Sequence, residues 1–190
     1  MLQNLILEGL DRLGKSTLAS EIEARLGCFT KLHFGKPPTL KYYEMAVGPT
    51  SAMEAYQRDS FEQMFTLLDS DARLLLDRAH LGESVYAKRY RGYDGDYVFE
   101  LESVKHVNAL SNTLLVLLVN FDTELERTLV DDGDSFDWSR RAEEQDDFNL
   151  AFNKSRFRNK LRLQVGSNGA FIDKHVLVNR IIEQYHGSKL

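Results

Sequence analysis

Residues 5–17 read Leu-Ile-Leu-Glu-Gly-Leu-Asp-Arg-Leu-Gly-Lys-Ser-Thr, an apolar run that passes straight into G-x-x-x-x-G-K-S. Such a run reads as a buried strand, and Thr17 to Leu26 reads as a helix behind it. Between them the spacing is that of a phosphate-binding loop. Gly9 and Gly14 let backbone N–H groups wrap an anion, Lys15 adds a point positive charge, and Ser16 offers a hydroxyl to Mg²⁺. The helix that follows points its positive dipole end at the same anion. The whole stretch Gly9, Leu10, Asp11, Arg12, Leu13, Gly14, Lys15, Ser16 and Thr17 is therefore the expected seat of a nucleotide triphosphate.

Outward from this loop, short apolar runs alternate with helical patterns. Strands are expected at Leu5–Glu8, Thr30–Phe34, Ala72–Leu76, Thr113–Asn120 and Ala170–Asp173. All but the second are nearly continuous in apolar residues, as parallel strands buried on both faces require. The alternation implies an α/β fold: a three-layer α/β/α P-loop domain with a central five-stranded parallel sheet, spanning residues 1–190 as one unit. In such sheets the chemistry lies at the carboxyl ends of the strands. The segment 131–147, rich in Asp, Gly and Ser at its start, is expected to be a mobile lid.

Composition narrows the function classes. The net charge of −5 argues against a surface that coats nucleic acid. The single cysteine, Cys28, excludes an internal disulfide, fits a reducing compartment, and reads as a small buried residue. No signal peptide and no apolar run of membrane-spanning length is seen, so a cytoplasmic protein is expected. The acidic stretch from Asp131 lacks the spacing of a calcium loop.

Candidate site residues follow from the strand ends. After the second strand, His33-Phe34-Gly35-Lys36-Pro37-Pro38 forms a rigid turn, with Lys36 expected at the site rim. His33 reads equally as a packed or a ligand-facing residue. The third strand ends at Asp77-Arg78. A carboxylate there completes a Mg²⁺ site with Ser16, and an arginine holds phosphate in a fork that lysine does not match. Glu83 and Tyr86, three apart, share a helical face from which both reach a bound nucleoside. Arg89 and Arg91 read as solvated charges. Arg140 and Arg141 sit where a lid delivers cations to phosphate.

The run Glu-Gly-x-Asp-Arg-x-Gly-Lys-Ser-Thr, with the Asp77-Arg78 pair and the lid, resembles the thymidylate kinase family, in the variety that carries an arginine inside the loop. The turn at 33–38 is similar to phage-encoded relatives. The resemblance implies ATP with Mg²⁺ as phosphoryl donor and a deoxynucleoside monophosphate, dTMP foremost, as acceptor. It implies that Arg12 meets the transferred phosphoryl group, that Asp11 faces the acceptor sugar, and that Arg78 binds the acceptor phosphate. It places an aromatic from the helix at 53–68, Phe61 or Phe65, on the base, with Gln57, Arg58 or Gln63 beside it. It places the turn at 166–173 along the adenine of ATP, and it permits a homodimer. Two departures stand out: Lys36 replaces an Arg-Glu-Pro pattern, and Arg12 coexists with lid arginines. The alternatives are a deoxynucleoside kinase, a kinase acting on DNA, and a P-loop NTPase switch, although no Asn-Lys-x-Asp signature for guanine is present.

Overall fold

A computed structural model describes residues 2–34, 49–103, 106–131, 133, 135 and 137–187, with the backbone alone at 49 and 50. Five strands form a parallel sheet: β1 (Asn4–Glu8), β2 (Thr30–His33), β3 (Leu74–Asp77), β4 (Thr113–Val119) and β5 (Asn159–Gln164). Their order is β2-β3-β1-β4-β5. The three inner strands are buried along their whole length, which is why they read as unbroken apolar runs. β1 pairs with β3 on one side and β4 on the other. The chain thus runs out in one direction from β1 and later returns to the other, leaving a crevice at the carboxyl end of β1.

Helices cover both faces: α1 (Lys15–Leu26), α2 (Pro49–Leu68), α3 (Leu81–Tyr86), α4 (Val98–Leu101), α5 (Val107–Asn112), α6 (Thr123–Thr128), α7 (Arg141–Lys154) and α8 (Lys174–Gly187). A π-helical turn at Ala87–Arg91 extends α3. Polar groups inside this frame tie elements together. The Asn4 amide donates to the Leu68 carbonyl at 2.9 Å and accepts from the Leu74 N–H at 3.0 Å, joining the end of α2 to the start of β3. His80, just past β3, meets Glu102 at 2.6 Å, and both are fully buried. Glu102 also accepts from the Ser155 hydroxyl at 2.8 Å, so one carboxylate joins three segments.

Two expectations about the fold are corrected, the fifth strand and the burial of Cys28. The fifth strand is Asn159–Gln164, paired in parallel with β4, and not Ala170–Asp173. Ala170–Phe171 (β7) instead forms a two-stranded antiparallel hairpin with Gly166–Ser167 (β6), outside the main sheet. β5 is an edge strand with one face open, so its sequence NKLRLQ lacks a continuous apolar run. In the expected lid, Trp138–Arg140 forms a 3₁₀ turn and residues from Arg141 onward belong to the 14-residue helix α7. Cys28 is exposed, because it follows the C-cap of α1 on the surface.

Candidate active site

The loop after β1 wraps back over the start of α1. Gly9 has φ +129°, and a Cβ there would lie 2.5 Å from the Leu118 carbonyl oxygen on β4, so only glycine allows this close approach. Arg12 is held at φ +65°, an uncommon conformation for a side-chain-bearing residue. Lys15 folds inside the loop and donates to the carbonyls of Gly9 at 2.8 Å and Leu10 at 2.6 Å. Burial, and then the nearby Arg78 charge, lower its pKa to about 8.

Ser16 and Asp77 come together as the sequence suggested. The Ser16 hydroxyl donates to Asp77 Oδ2 at 2.5 Å. Asp77 Oδ1 is buried without a hydrogen-bond partner among the described residues. A carboxylate oxygen left over in this way, facing a hydroxyl at a phosphate loop, fits the donor set of Mg²⁺, a hard cation that takes oxygen ligands. His33 is half exposed, with Nδ1 3.6 Å from Asp77 Oδ2, so it faces this site and is not packed. Lys15, Ser16, Thr17, Arg12, His33 and Arg78 border one pocket here.

Asp11 is the junction of the loop with its surroundings. Its carboxylate pairs with the Arg78 guanidinium and lies 3.9 Å from Lys15. Its backbone carbonyl accepts from Arg141 Nη1 at 2.9 Å. Arg141 is buried, donates through Nε to Glu126 at 2.6 Å, and stacks over the Trp138 ring at 4.2 Å. Its Nη2 is buried without a hydrogen-bond partner among the described residues. Arg140 points away: it bonds Glu143 at 2.9 Å on the outer side of α7. The two adjacent arginines are thus separated, and Arg141 is the one that reaches the phosphate loop.

A second pocket opens on the other side of Asp11 and Arg78. It runs from Glu8 and Gly9 to Phe34, Gln57, Phe61, Glu83, Tyr86, Arg91 and Phe148. Phe61 lies on this pocket and stacks on Phe34 with ring centroids 5.8 Å apart. Phe65 does not reach it. That ring is fully buried against His80, His106 and Phe157, because it sits one helical turn further along α2, over the sheet. Of the polar candidates on α2, Gln57 lines the pocket, Arg58 lies over the Tyr97 ring, and Gln63 is exposed.

Glu83 is corrected from a free acceptor to a saturated one. It is buried and accepts from Tyr93 at 2.6 Å, Tyr97 at 3.0 Å, Gln57 at 3.1 Å and the Arg91 guanidinium. Arg91 and Arg89 are corrected too. Arg91 borders the pocket and pairs with Glu83, while Arg89 is held by Asp147 at 2.5 Å and Glu143 at 2.8 Å. The π-helical turn brings Arg91 inward, a backbone irregularity that residue spacing does not announce. Tyr86 packs edge-on against Phe148, as a wall of the same pocket. Burial leads the upward shift of its hydroxyl, which stays protonated. Glu8, beneath the loop, accepts from the Ala79 and Leu81 N–H groups at 3.0 and 2.9 Å, and burial holds its carboxyl above the usual range. Lys36 lies outside the described residues.

A third pocket joins Arg12, Gly14, Thr17 and Leu18 to Phe171, Ile172 and Asp173, the end of the turn that the sequence placed near adenine.

No family model matches the chain, and no curated protein sequence matches it. Solved structures do share its architecture. The YorR protein of Bacillus subtilis, solved in complex with phosphorylated GDP, superposes with a TM-score of 0.67 at 17% identity, covering 97% of this chain and 96% of that one. Thymidylate kinase from Candida albicans gives 0.62 at 18% identity, over 99% and 92%. Deoxyadenosine kinase from M. mycoides gives 0.56 at 15% identity, over 98% and 100%. The chain therefore has the fold of the P-loop kinases. At these identities the likeness is one of fold.

Proposed function

We propose that the protein is a deoxynucleoside monophosphate kinase that moves the γ-phosphoryl group of ATP to a dNMP, with dTMP the first acceptor to test. The observation that carries this reading is the place of Arg78, which borders the pocket at the phosphate loop and also the acceptor pocket. Among the described residues, Arg78 and Arg91 face it, and each of its carboxylates is engaged by protein donors: Glu8 by two backbone N–H groups, Asp11 by Arg78, and Glu83 by four side chains. The guanidiniums are paired in turn, Arg78 with Asp11 and Arg91 with Glu83, and Arg78, set between the two pockets, suits an acceptor that is already an anion. A phosphate monoester needs no general base, whereas a neutral hydroxyl benefits from one.

In this reading an oxygen of the acceptor phosphate attacks the γ-phosphorus. The new O–P bond forms as the bond to the β-phosphate oxygen breaks, and ADP leaves. Lys15 and Arg12 neutralise the donor phosphates, and Arg78 holds the attacking phosphate in line. Ser16 and Asp77 would hold Mg²⁺, which would supply positive charge against the donor phosphates. Arg141 fixes the loop through the Asp11 carbonyl, and Phe61 with Phe34 offers a face to the base. The segment 131–147 acts as the lid, and a soluble, cytoplasmic enzyme follows from this reading. Among the described residues no helix is long and apolar enough to cross a membrane.

A second reading, a deoxynucleoside kinase, is favoured by one observation: the raised carboxyl of Glu8 at the pocket floor, a potential base for a sugar hydroxyl. An ADP-release assay with ATP·Mg²⁺ separates the two. The acceptors are the common deoxynucleoside monophosphates, dUMP, and the matching nucleosides. Turnover with monophosphates supports the first reading. Turnover with nucleosides alone supports the second, and ADP release without acceptor refutes both.

A further inference from the structure

We infer that Glu8 is a positioning residue: it holds the turn after β3 in the strained conformation that sets the Arg78 guanidinium between the two pockets. The inference rests on the reading of Arg78 as the group that holds the acceptor phosphate.

Arg78 stands at φ +70°, a left-handed conformation that residues other than glycine seldom adopt. Such a conformation persists only where the surroundings fix it. Here the end of β1 fixes it with two consecutive residues. The Arg78 N–H donates to the Leu7 carbonyl at 2.9 Å. Glu8, only 1% exposed, accepts from the N–H groups of Ala79 at 3.0 Å and Leu81 at 2.9 Å, both on Oε1. Ala79 and Leu81 are themselves buried, so loss of this oxygen would leave two buried donors to satisfy. Leu81 also opens α3, whose N-cap residue His80 makes no side-chain capping bond. Glu8 supplies that cap from another element.

The consequence falls on one side chain. Arg78 borders both pockets and pairs with Asp11. A change of φ at residue 78 swings the guanidinium at the far end of a long side chain, and in-line transfer tolerates little misplacement. The role asks for reach and for an acceptor atom, and not for a charge. Both bonds fall on Oε1, which accepts whether or not the other oxygen carries a proton, and a glutamine oxygen in the same place accepts as well. A general base, by contrast, needs the carboxylate itself. Aspartate keeps the carboxylate but is one methylene shorter, which takes the oxygen out of reach of the two N–H groups.

The test compares Glu8→Gln with Glu8→Asp. KM and kcat are measured for ATP·Mg²⁺ and for the common deoxynucleoside monophosphates and the matching nucleosides. ¹⁵N NMR follows the Arg78 guanidinium, whose signals are assigned by their loss in Arg78→Lys. Glu8→Gln should hold the acceptor KM within about threefold of the intact protein, whereas Glu8→Asp should raise it at least about tenfold. The KM for ATP should stay within about twofold in both. In an Arg78→Ala background, Glu8→Asp should add less than about twofold, because the two residues act as one unit. The Arg78 signals should keep their shifts in Glu8→Gln and move in Glu8→Asp. Equal losses in the two variants overturn the inference, as do full additivity with Arg78→Ala and unmoved Arg78 signals in Glu8→Asp. A loss confined to Glu8→Gln overturns it too and makes Glu8 a base. If Glu8→Asp does not fold, Glu8→Gln decides: a held acceptor KM with Arg78 signals in place supports the inference, and displaced signals overturn it. Turnover of nucleosides alone overturns the monophosphate reading, and the NMR comparison still decides whether Glu8 positions Arg78.

Discussion

Raising the pH from 7 to 9 should weaken ATP binding about tenfold, because of where Lys15 sits. In the free protein, burial and the Arg78 charge hold its pKa at about 8, against 10.5 for an ordinary lysine. That difference amounts to about 3 kcal/mol of disfavoured charge. A phosphate placed on Lys15 reverses it, so the bound state keeps its proton well above pH 8. Between 8 and 10.5 the complex then holds more protons than the free protein, and affinity falls as pH rises through 8. The protonated fraction of the free protein drops from about nine-tenths at pH 7 to about one-tenth at pH 9, which gives the tenfold figure. The terminal phosphate of ATP, with a pKa near about 6 for a phosphate monoester, is ionised across this window. Calorimetry in EDTA removes the metal from the measurement. Titrations in two buffers of different ionisation enthalpy count the proton taken up. Affinity that stays flat or tightens from pH 7 to 9 would refute the reasoning, as would an unchanged pH profile in Lys15→Met.

Other perturbations isolate other parts of the account. Gly9→Ala forces a Cβ to within 2.5 Å of the Leu118 carbonyl at φ +129°, so ATP affinity should fall at least about tenfold while far-UV circular dichroism stays native. Phe65→Ala should lower unfolding free energy by about 3–5 kcal/mol in urea titrations and leave acceptor KM unchanged; a raised KM would return Phe65 to the site. Arg141→Met removes the hydrogen bonds to Glu126 and to the Asp11 carbonyl, at a cost of about 1–3 kcal/mol. It also strips the guanidinium from Trp138, the only tryptophan in the chain, so its emission should change with ATP affinity. Unaltered emission and affinity would mean that Arg141 does not hold the loop.

The phosphate loop was legible because its chemistry leaves little freedom. A strand, a glycine that meets the next strand's backbone, a lysine and a hydroxyl must fall at fixed offsets, and they do. The inner strands were legible because burial on both faces demands apolar residues throughout. β5 was not, since this edge strand alternates, with Lys160 and Arg162 on one face and Leu161 and Leu163 on the other, while Phe171 advertised a strand and lies half exposed in a hairpin. Asp77 and Arg78 were found from position alone, at the end of a buried strand. Arg91 was read as a solvated charge, and Gln57 stood as one of three polar candidates with nothing to choose between them. Arg91 depends on a π-helical turn, and Gln57 gains meaning from Glu83, a residue 26 positions away. Phe61 and Phe65 share a residue type and a helix, so only the tertiary packing of α2 tells the pocket wall from the core.

The measurement that bears most directly on the central claim is ³¹P NMR of the reaction of ATP, Mg²⁺ and dTMP or dGMP with the protein. The account predicts that the monophosphate resonance disappears as the paired resonances of a deoxynucleoside diphosphate and of ADP grow together. Release of inorganic phosphate with the monophosphate untouched, or phosphorylation of a free nucleoside in its place, would contradict it.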